Sequence, residues 1–291
     1  MKKKRMNKID PKKVMLEHSK AKVELYGRYL STFLIIISRD RHTEKIYLYD
    51  LFCGEGIYEN GEKGSPIVTL EAIKNHYFAN DNSCPNLKIL FNDIDDTKIK
   101  KLSEHCTKIF QPKNSEIVFE SKNYINLIEI VIKEISHLSK DEKAIIFIDP
   151  YGYKEIHVED ISNLLKGRRS EVLLFFPISQ MYRFANAAIQ KEIVGTEELV
   201  ELINEIFSPD IPRFNSVNDF IDKIKDTLRI TMGDFFIDTF TLQRDPQNIY
   251  SLFFFTSHIR GFEKMLETKW EIDTEQGKGF RLNKTGYLFV S

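Results

Sequence analysis

The stretch 47-YLYDLFCGEGIYENGEKGSP-66 decides how the rest of the chain is read. It opens as an apolar strand and closes as a helix start, with Ser65 as N-cap and Pro66 in the first turn. Between them lie four glycines and several carboxylates. A strand, a glycine turn and a helix form the repeating unit of an open α/β sheet, whose ligands bind beyond the carboxyl ends of the strands. Asp50 to Gly56 lie at that edge, and Gly54 and Gly56 allow the backbone to approach a ligand closely. A dinucleotide fingerprint needs a third glycine three residues after Gly56, where Glu59 stands instead. Asp50 would repel a pyrophosphate but can pair with the ammonium of an amino-acid moiety. The pattern Asp50-x-Phe52-x-Gly54-x-Gly56 therefore favours S-adenosyl-L-methionine over NAD as cofactor. The detour 57-IYENGEKG-64 reads as a flap over that site, with Glu59, Lys63 and Ser65 as weak candidates for touching a substrate. A solvated loop is an equally good reading of it.

Outward from this stretch the pattern repeats. Upstream, 14-VMLEHSKAKVELYGRYLSTFLIIIS-38 carries apolar residues at helical spacing. Downstream, strands LKILFND, EIVFES, KAIIFIDP and EVLLFFP follow, the first two each leading into a helix. Strands alternating with helices predict a mostly parallel sheet covered on both faces. Residues 178–233 read as helices and loops. FFIDTFTLQ and IYSLFFFTS then flank the short RDPQN, which predicts an antiparallel hairpin closing the sheet. A parallel sheet finished by such a hairpin is similar to the Rossmann-like sheet of class I S-adenosyl-L-methionine-dependent methyltransferases, a likeness of fold and not of chemistry. The expected organisation is a basic tail and helix over 1–40, a cofactor-binding core over 41–177, a helical insertion over 178–233 for target or partner recognition, and a closing segment over 234–291.

Other candidate residues sit at the same sheet edge. The second strand ends in FNDIDD, where an acidic side chain can accept from ribose hydroxyls; Asp93 is the first candidate and Asp95 the second. Both can also serve as caps of the following helix, with the ribose role the favoured one. Asn123, after the third strand, can donate to and accept from an adenine, or cap the next helix. The fourth strand ends in 145-IIFIDPYGY-153. Asp149 and the Pro150 carbonyl can hold a target NH2 group while Tyr151 stacks on a base extracted from its neighbours. D-P-Y-G is one proline short of the D-P-P-Y of amino-methylating enzymes and looks closer to the D-P-F-G of tRNA N2-guanine dimethyltransferases. A cytosine-C5 enzyme needs a cysteine after proline at this edge; Cys84-Pro85 has the reverse order and lies elsewhere. Arg183 is a weak substrate candidate in the insertion, which mixes Arg183, Lys191 and Arg213 with Glu192, Glu197 and Glu198 and so is not plainly basic.

Bulk composition narrows the class without choosing a substrate. With 42 Lys+Arg against 43 Asp+Glu, the net charge of −1 argues neither for nor against nucleic acid, although the tail MKKKRMNKIDPKK is basic. No stretch reads as a secretory signal, and STFLIIIS is too short to span a membrane. The scattered Cys53, Cys84 and Cys106 fit free thiols in a reducing cytoplasm, and no Cys/His pair has metal-ligand spacing.

HSKAKVELYGRYL, YDLFCGEGIYENGEKGSP, FIDPYG, LLFFPISQMYR and YSLFFFTSHIRGFEKMLETKW together resemble one family, the three-Cys-motif partner proteins (TcmP), over most of the chain from residue 18 to about 273. The resemblance implies a bacterial methyltransferase-like Rossmann fold, a partner bearing a three-cysteine, radical-SAM-like motif, and a link to phage or mobile-element biology. The family's usual Asp after the third strand is replaced here by Asn123 or Lys122. The function expected from these residues is methylation of an exocyclic amine of a nucleic-acid base. The rivals are a non-catalytic cofactor- or nucleotide-binding partner protein and a small-molecule methyltransferase.

Overall fold

The structure, a computed structural model, describes residues 14–76, 84–109, 114–150, 152, 156–189, 197–245 and 248–280. The basic tail expected over residues 1–13 lies outside them, as do Tyr151, Lys191 and Glu192. The chain runs α1 (Glu17–Ile37), β1 (Lys45–Asp50), α2 (Ser65–His76), β2 (Asn86–Asn92), α3 (Asp96–Ile109), β3 (Ser115–Glu120), α4 (Tyr124–Ser136) and β4 (Glu142–Ile148). It continues through α5 (Val158–Leu165), β5 (Ser170–Phe176), α6 (Ile178–Ile189), α7 (Glu197–Phe207), α8 (Val217–Met232), β6 (Phe236–Asp245), β7 (Asn248–Thr256), α9 (Ile259–Ile272) and β8 (Gly279–Phe280).

The strands form one sheet in the order β3-β2-β1-β4-β5-β7-β6-β8. β1 to β5 are parallel, and β7 runs antiparallel to both β5 and β6. This is the mostly parallel, Rossmann-like sheet with a terminal antiparallel hairpin expected from the sequence. Its central strands are apolar throughout because both faces are covered. Val172, Leu174 and Phe176 of β5 face α4 to α8, while Leu173 and Phe175 face α1, α2, α3 and α9. Helices α6 to α8 of the insertion bury Leu199, Leu202, Phe220 and Ile224 in the same cluster as Phe253 and Phe255 of β7. They thus form part of one layer of the core. Three elements were not anticipated: α5, only eight residues long, α9 and the two-residue β8. No described helix is long and apolar enough to cross a membrane.

The order reverses at β1: β2 and β3 extend to one side, β4 and β5 to the other. The crevice between the ends of β1 and β4 is therefore the topological switch point, where open α/β sheets bind ligands. Asp50 and Asp149 both stand there, since Asp50 is in register with Phe147.

Candidate cofactor and acceptor site

Asp50 ends β1 almost wholly buried. Its Oδ1 accepts from the Phe52 N–H at 3.4 Å, and its Oδ2 has no hydrogen-bond partner among the described residues. Burial pushes the carboxyl up to about 7; the nearby Ser65 hydroxyl opposes that rise and the Asp149 charge adds to it. A buried carboxylate oxygen without a donor costs free energy that an incoming cation or N–H group removes. Beside it Gly54 has φ +65°, and a Cβ there would meet nothing within 4 Å. Open backbone next to an unsatisfied carboxylate fits the amino-acid end of S-adenosyl-L-methionine. Gly56 has a different task. At φ +81° its added Cβ would strike Leu102 Cδ1 at 2.6 Å and Ile67 Cδ1 at 3.2 Å. It is a packing glycine beneath the turn, where the sequence had suggested a ligand approach.

The detour is a small closed hairpin. Ile57 and Lys63 form an antiparallel bridge, and Gly64 N–H donates to the Gly56 carbonyl at 2.6 Å. Glu62 pairs with Lys20 of α1 at 2.7 Å, and Asn60 exchanges long hydrogen bonds with the Met15 backbone. Lys63 is held by Glu71 at 2.6 Å, while Glu59 is exposed. The residue this hairpin brings to the crevice is Tyr58, whose hydroxyl is pushed up to about 12 by burial and then by the Asp149 and Asp50 carboxylates.

Asp93 is fully buried. Its Oδ2 accepts from the Gly54 N–H at 3.2 Å and lies 3.5 Å from Lys98 Nζ, and its Oδ1 accepts from the Asp95 N–H at 2.9 Å. A ribose hydroxyl would have to share these oxygens. Asp95 caps α3, accepting from the Thr97 N–H and hydroxyl at 2.9 and 2.6 Å. Asn123 likewise caps α4 through the Ile125 N–H at 2.9 Å. Two nearby residues carry more than their sequence context suggested. Asn92 donates to the Leu51 and Lys122 carbonyls, both at 3.1 Å, and accepts from the Lys122 N–H, which ties together the ends of β1, β2 and β3. Ile94 follows Asp93 with 60% of its surface exposed, an apolar side chain at the end of β2.

Across the crevice, Asp149 is ion-paired with Lys22 of α1. Lys22 is itself buried and lies 4.2 Å from the centre of the Phe175 ring. Phe175 stacks on Tyr250 and Tyr250 on His18, each at 5.2 Å. Asp149 thus sits against a wall built from α1, β5 and β7. Pro150 is half-buried and a Cβ on Gly152 would meet nothing; the stacking role assigned to Tyr151 lies outside the described residues. Arg183, on α6, is exposed and donates to the Ser179 carbonyl one turn back.

Methyltransferases are among the solved structures this chain is similar to. Trm1 from Pyrococcus horikoshii, in complex with S-adenosyl-L-methionine, is 13% identical with a TM-score of 0.42, covering 85% of this chain and 58% of Trm1. A spermidine synthase bound to the transition-state analogue AdoDATO is 12% identical with a TM-score of 0.41, over 89% of this chain and 68% of that one. The O-methyltransferase TomG from Streptomyces achromogenes, in complex with SAM, is 12% identical with a TM-score of 0.40, over 86% and 91%. This chain therefore spans less than two thirds of Trm1, and none of these likenesses bears on a substrate. No protein-family model matches the sequence, and no curated protein does.

Lys22, His18, Tyr58 and Tyr250 escaped the sequence reading. Each lies in a helix, flap or strand whose pattern reports only burial. Lys22 offered one signal, a lysine on the apolar stripe of α1, which a buried partner has to satisfy.

Proposed function

We propose that this protein is an S-adenosyl-L-methionine-dependent methyltransferase acting on an exocyclic amine of a nucleic-acid base. One observation carries the reading: two carboxylates of different character face one switch-point crevice. Asp50 is buried with an oxygen lacking a donor, suited to the cofactor's ammonium. Asp149 is about a quarter exposed and so within reach of an acceptor. The bound cofactor supplies an electrophilic methyl group. Asp149 would accept a hydrogen bond from the target NH2 group, turn its lone pair toward that methyl and relay to solvent the proton the nitrogen loses on methylation, with the cofactor leaving as its demethylated product. Lys22 holds Asp149 in place, and Ile94 offers an apolar surface to the adenine. The nucleic-acid acceptor rests on the D-P-Y-G resemblance, and the three-Cys-motif partner on the TcmP resemblance; co-purification with such a protein is the measurement for the latter.

The test is transfer of labelled methyl from S-adenosyl-L-methionine to RNA, DNA and small amines. Asp149→Asn should abolish labelling and leave cofactor affinity within about twofold. Wild-type protein that binds neither S-adenosyl-L-methionine nor its demethylated product would remove the reading. A second reading is favoured by the Lys22–Asp149 pair, which already occupies the carboxylate meant for the amine. On it the protein binds the cofactor without turnover, and labelling stays at background for every acceptor while the cofactor binds.

A further inference from the structure

At the opposite edge of the sheet, where β4 and β5 begin, the chain forms a half-open cavity of about 620 Å³. That volume lies in the range of small-molecule sites. The cavity is one length of β4 away from the Asp50 crevice, about 20 Å for seven residues at ~3.3 Å each. One wall is apolar and comes from the last turns of α1: Phe33, Ile36 and Ile37. The rim is cationic: Arg39 after α1, Lys143 of β4, Arg169 before β5, and Arg260 and Lys264 in the first turns of α9.

The charges on this rim are mostly uncompensated. Lys264 pairs with Glu267 at 2.6 Å, but among the described residues Arg39, Arg169 and Arg260 form no ion pair, and Lys143 meets only the Lys140 carbonyl at 3.2 Å. Of the two acids lining the cavity, Asp40 is held in its charged form by the Thr43 hydroxyl and the His42 N–H, and its one negative charge faces Lys143 and leaves the three arginines in excess. Glu171 accepts from the Tyr29 and Thr256 hydroxyls at 2.5 and 2.7 Å, and burial pushes its carboxyl toward the neutral form. The cations also feel one another. Lys143 is pulled below its ordinary range by burial and then by Arg169, against the Asp40 and Asp141 charges, and His258, whose side chain is still partly open to solvent, by desolvation and then by Lys143, against a hydrogen bond at the Arg168 backbone. α9 begins at this rim without a side-chain cap, so its positive end adds to the field. Gly261 makes that approach feasible, because a Cβ there would lie 2.2 Å from Glu171 Oε1.

We infer that this cavity binds a nucleoside phosphate, with the base against the Phe33–Ile36–Ile37 wall and the phosphates between Arg39, Arg169 and Arg260. Several unpaired guanidinium groups suit a multiply charged phosphate better than a single carboxylate. The apolar wall beside the cations suits a base and phosphates together better than a bare anion. The inference stands independently of the methyltransferase reading, since no residue is shared with the crevice.

Calorimetry on the full chain with ATP tests it, with adenosine, pyrophosphate and a single-stranded oligonucleotide as comparisons. ATP should bind one per chain, weaken with added salt, and remain bound in the presence of saturating S-adenosylhomocysteine. The Arg169→Ala/Arg260→Ala pair should weaken it by about tenfold or more, and adenosine and pyrophosphate should each bind at least about tenfold more weakly than ATP. If that pair fails to fold, the exposed Arg39→Ala alone should still weaken ATP several-fold. Absence of ATP binding, ATP affinity unchanged in the folded variants, or displacement by S-adenosylhomocysteine overturns the inference. So does pyrophosphate as tight as ATP, which would make this a plain anion site, or an oligonucleotide that needs these arginines where ATP does not bind.

Discussion

At Asp50, the rise of the carboxyl to about 7 from its ordinary 3.8 ties stability and ligand affinity to the same proton. The folded state holds that proton more tightly than the unfolded state. Asp50's contribution to stability is therefore complete below pH 3.8 and is lost as pH rises through about 7. Thermal melts between about pH 4 and pH 8 should show the wild type losing more stability than Asp50→Asn over that interval. Glu171 shifts in the same direction in both proteins, so the difference between the two isolates Asp50. A cationic ligand needs the ionised carboxylate. S-Adenosylhomocysteine affinity should thus climb as pH rises through about 7 and level off above it. Asp50→Asn should bind more weakly by about 1.5–3 kcal/mol and without that pH dependence.

For whole elements, the loops entering α2 and α4 separate structural from ligand roles. Asn123 stands where an adenine-binding side chain was expected, and it caps α4. Asn123→Ala should cost about 1 kcal/mol of stability in denaturant titration and leave cofactor affinity unchanged; a loss of affinity at equal stability would restore the ligand role. The two turn glycines should separate as well. Gly56→Ala combines positive φ with a clash on Leu102, and should cost about 2 kcal/mol or more. Gly54→Ala meets open space and should cost only the backbone strain, about 1 kcal/mol, while weakening cofactor binding disproportionately.

Over the whole molecule, α1 connects distant parts of the chain. Lys22 reaches Asp149 across 127 positions of sequence, and the far end of the same helix walls the cationic cavity. Lys22→Met should destabilise the fold by roughly 1–3 kcal/mol, because it leaves a mostly buried carboxylate without its partner. Asp149→Asn added to Lys22→Met should recover part of that loss, and simple additivity in the double-mutant cycle would mean the pair is not coupled. The insertion also belongs to this scale. Removing residues 178–233 would uncover Phe253, Phe255, Leu174 and Phe176, so the shortened chain should be recovered aggregated in size-exclusion chromatography, without independent folding of the rest.

Much of this architecture is local in origin and so legible in one dimension. Apolar strands buried on both faces, glycines at the first turn, Ser65-Pro66 at a helix start and RDPQN between two strands each carry their own signal. Together they determine a parallel sheet with a closing hairpin and put Asp50 and Asp149 at its carboxyl edge. Short α5 and amphipathic α9 were missed because eight residues scarcely establish a period, and because α9 follows directly on a strand without a capping side chain. What each polar residue does at the edge was decided only by tertiary structure. Gly54 and Gly56 look alike in sequence, yet one faces open space and the other Leu102. Asp95 and Asn123 proved to be caps, and Lys22 and Tyr58 come to Asp149 from segments far apart in the chain, with His18 and Tyr250 stacked in the wall beyond Phe175. Burial and pairing depend on what the remaining chain packs against a side chain. That is why the cationic cavity, built from α1, β4, β5 and α9, left no mark on a sequence of near-zero net charge.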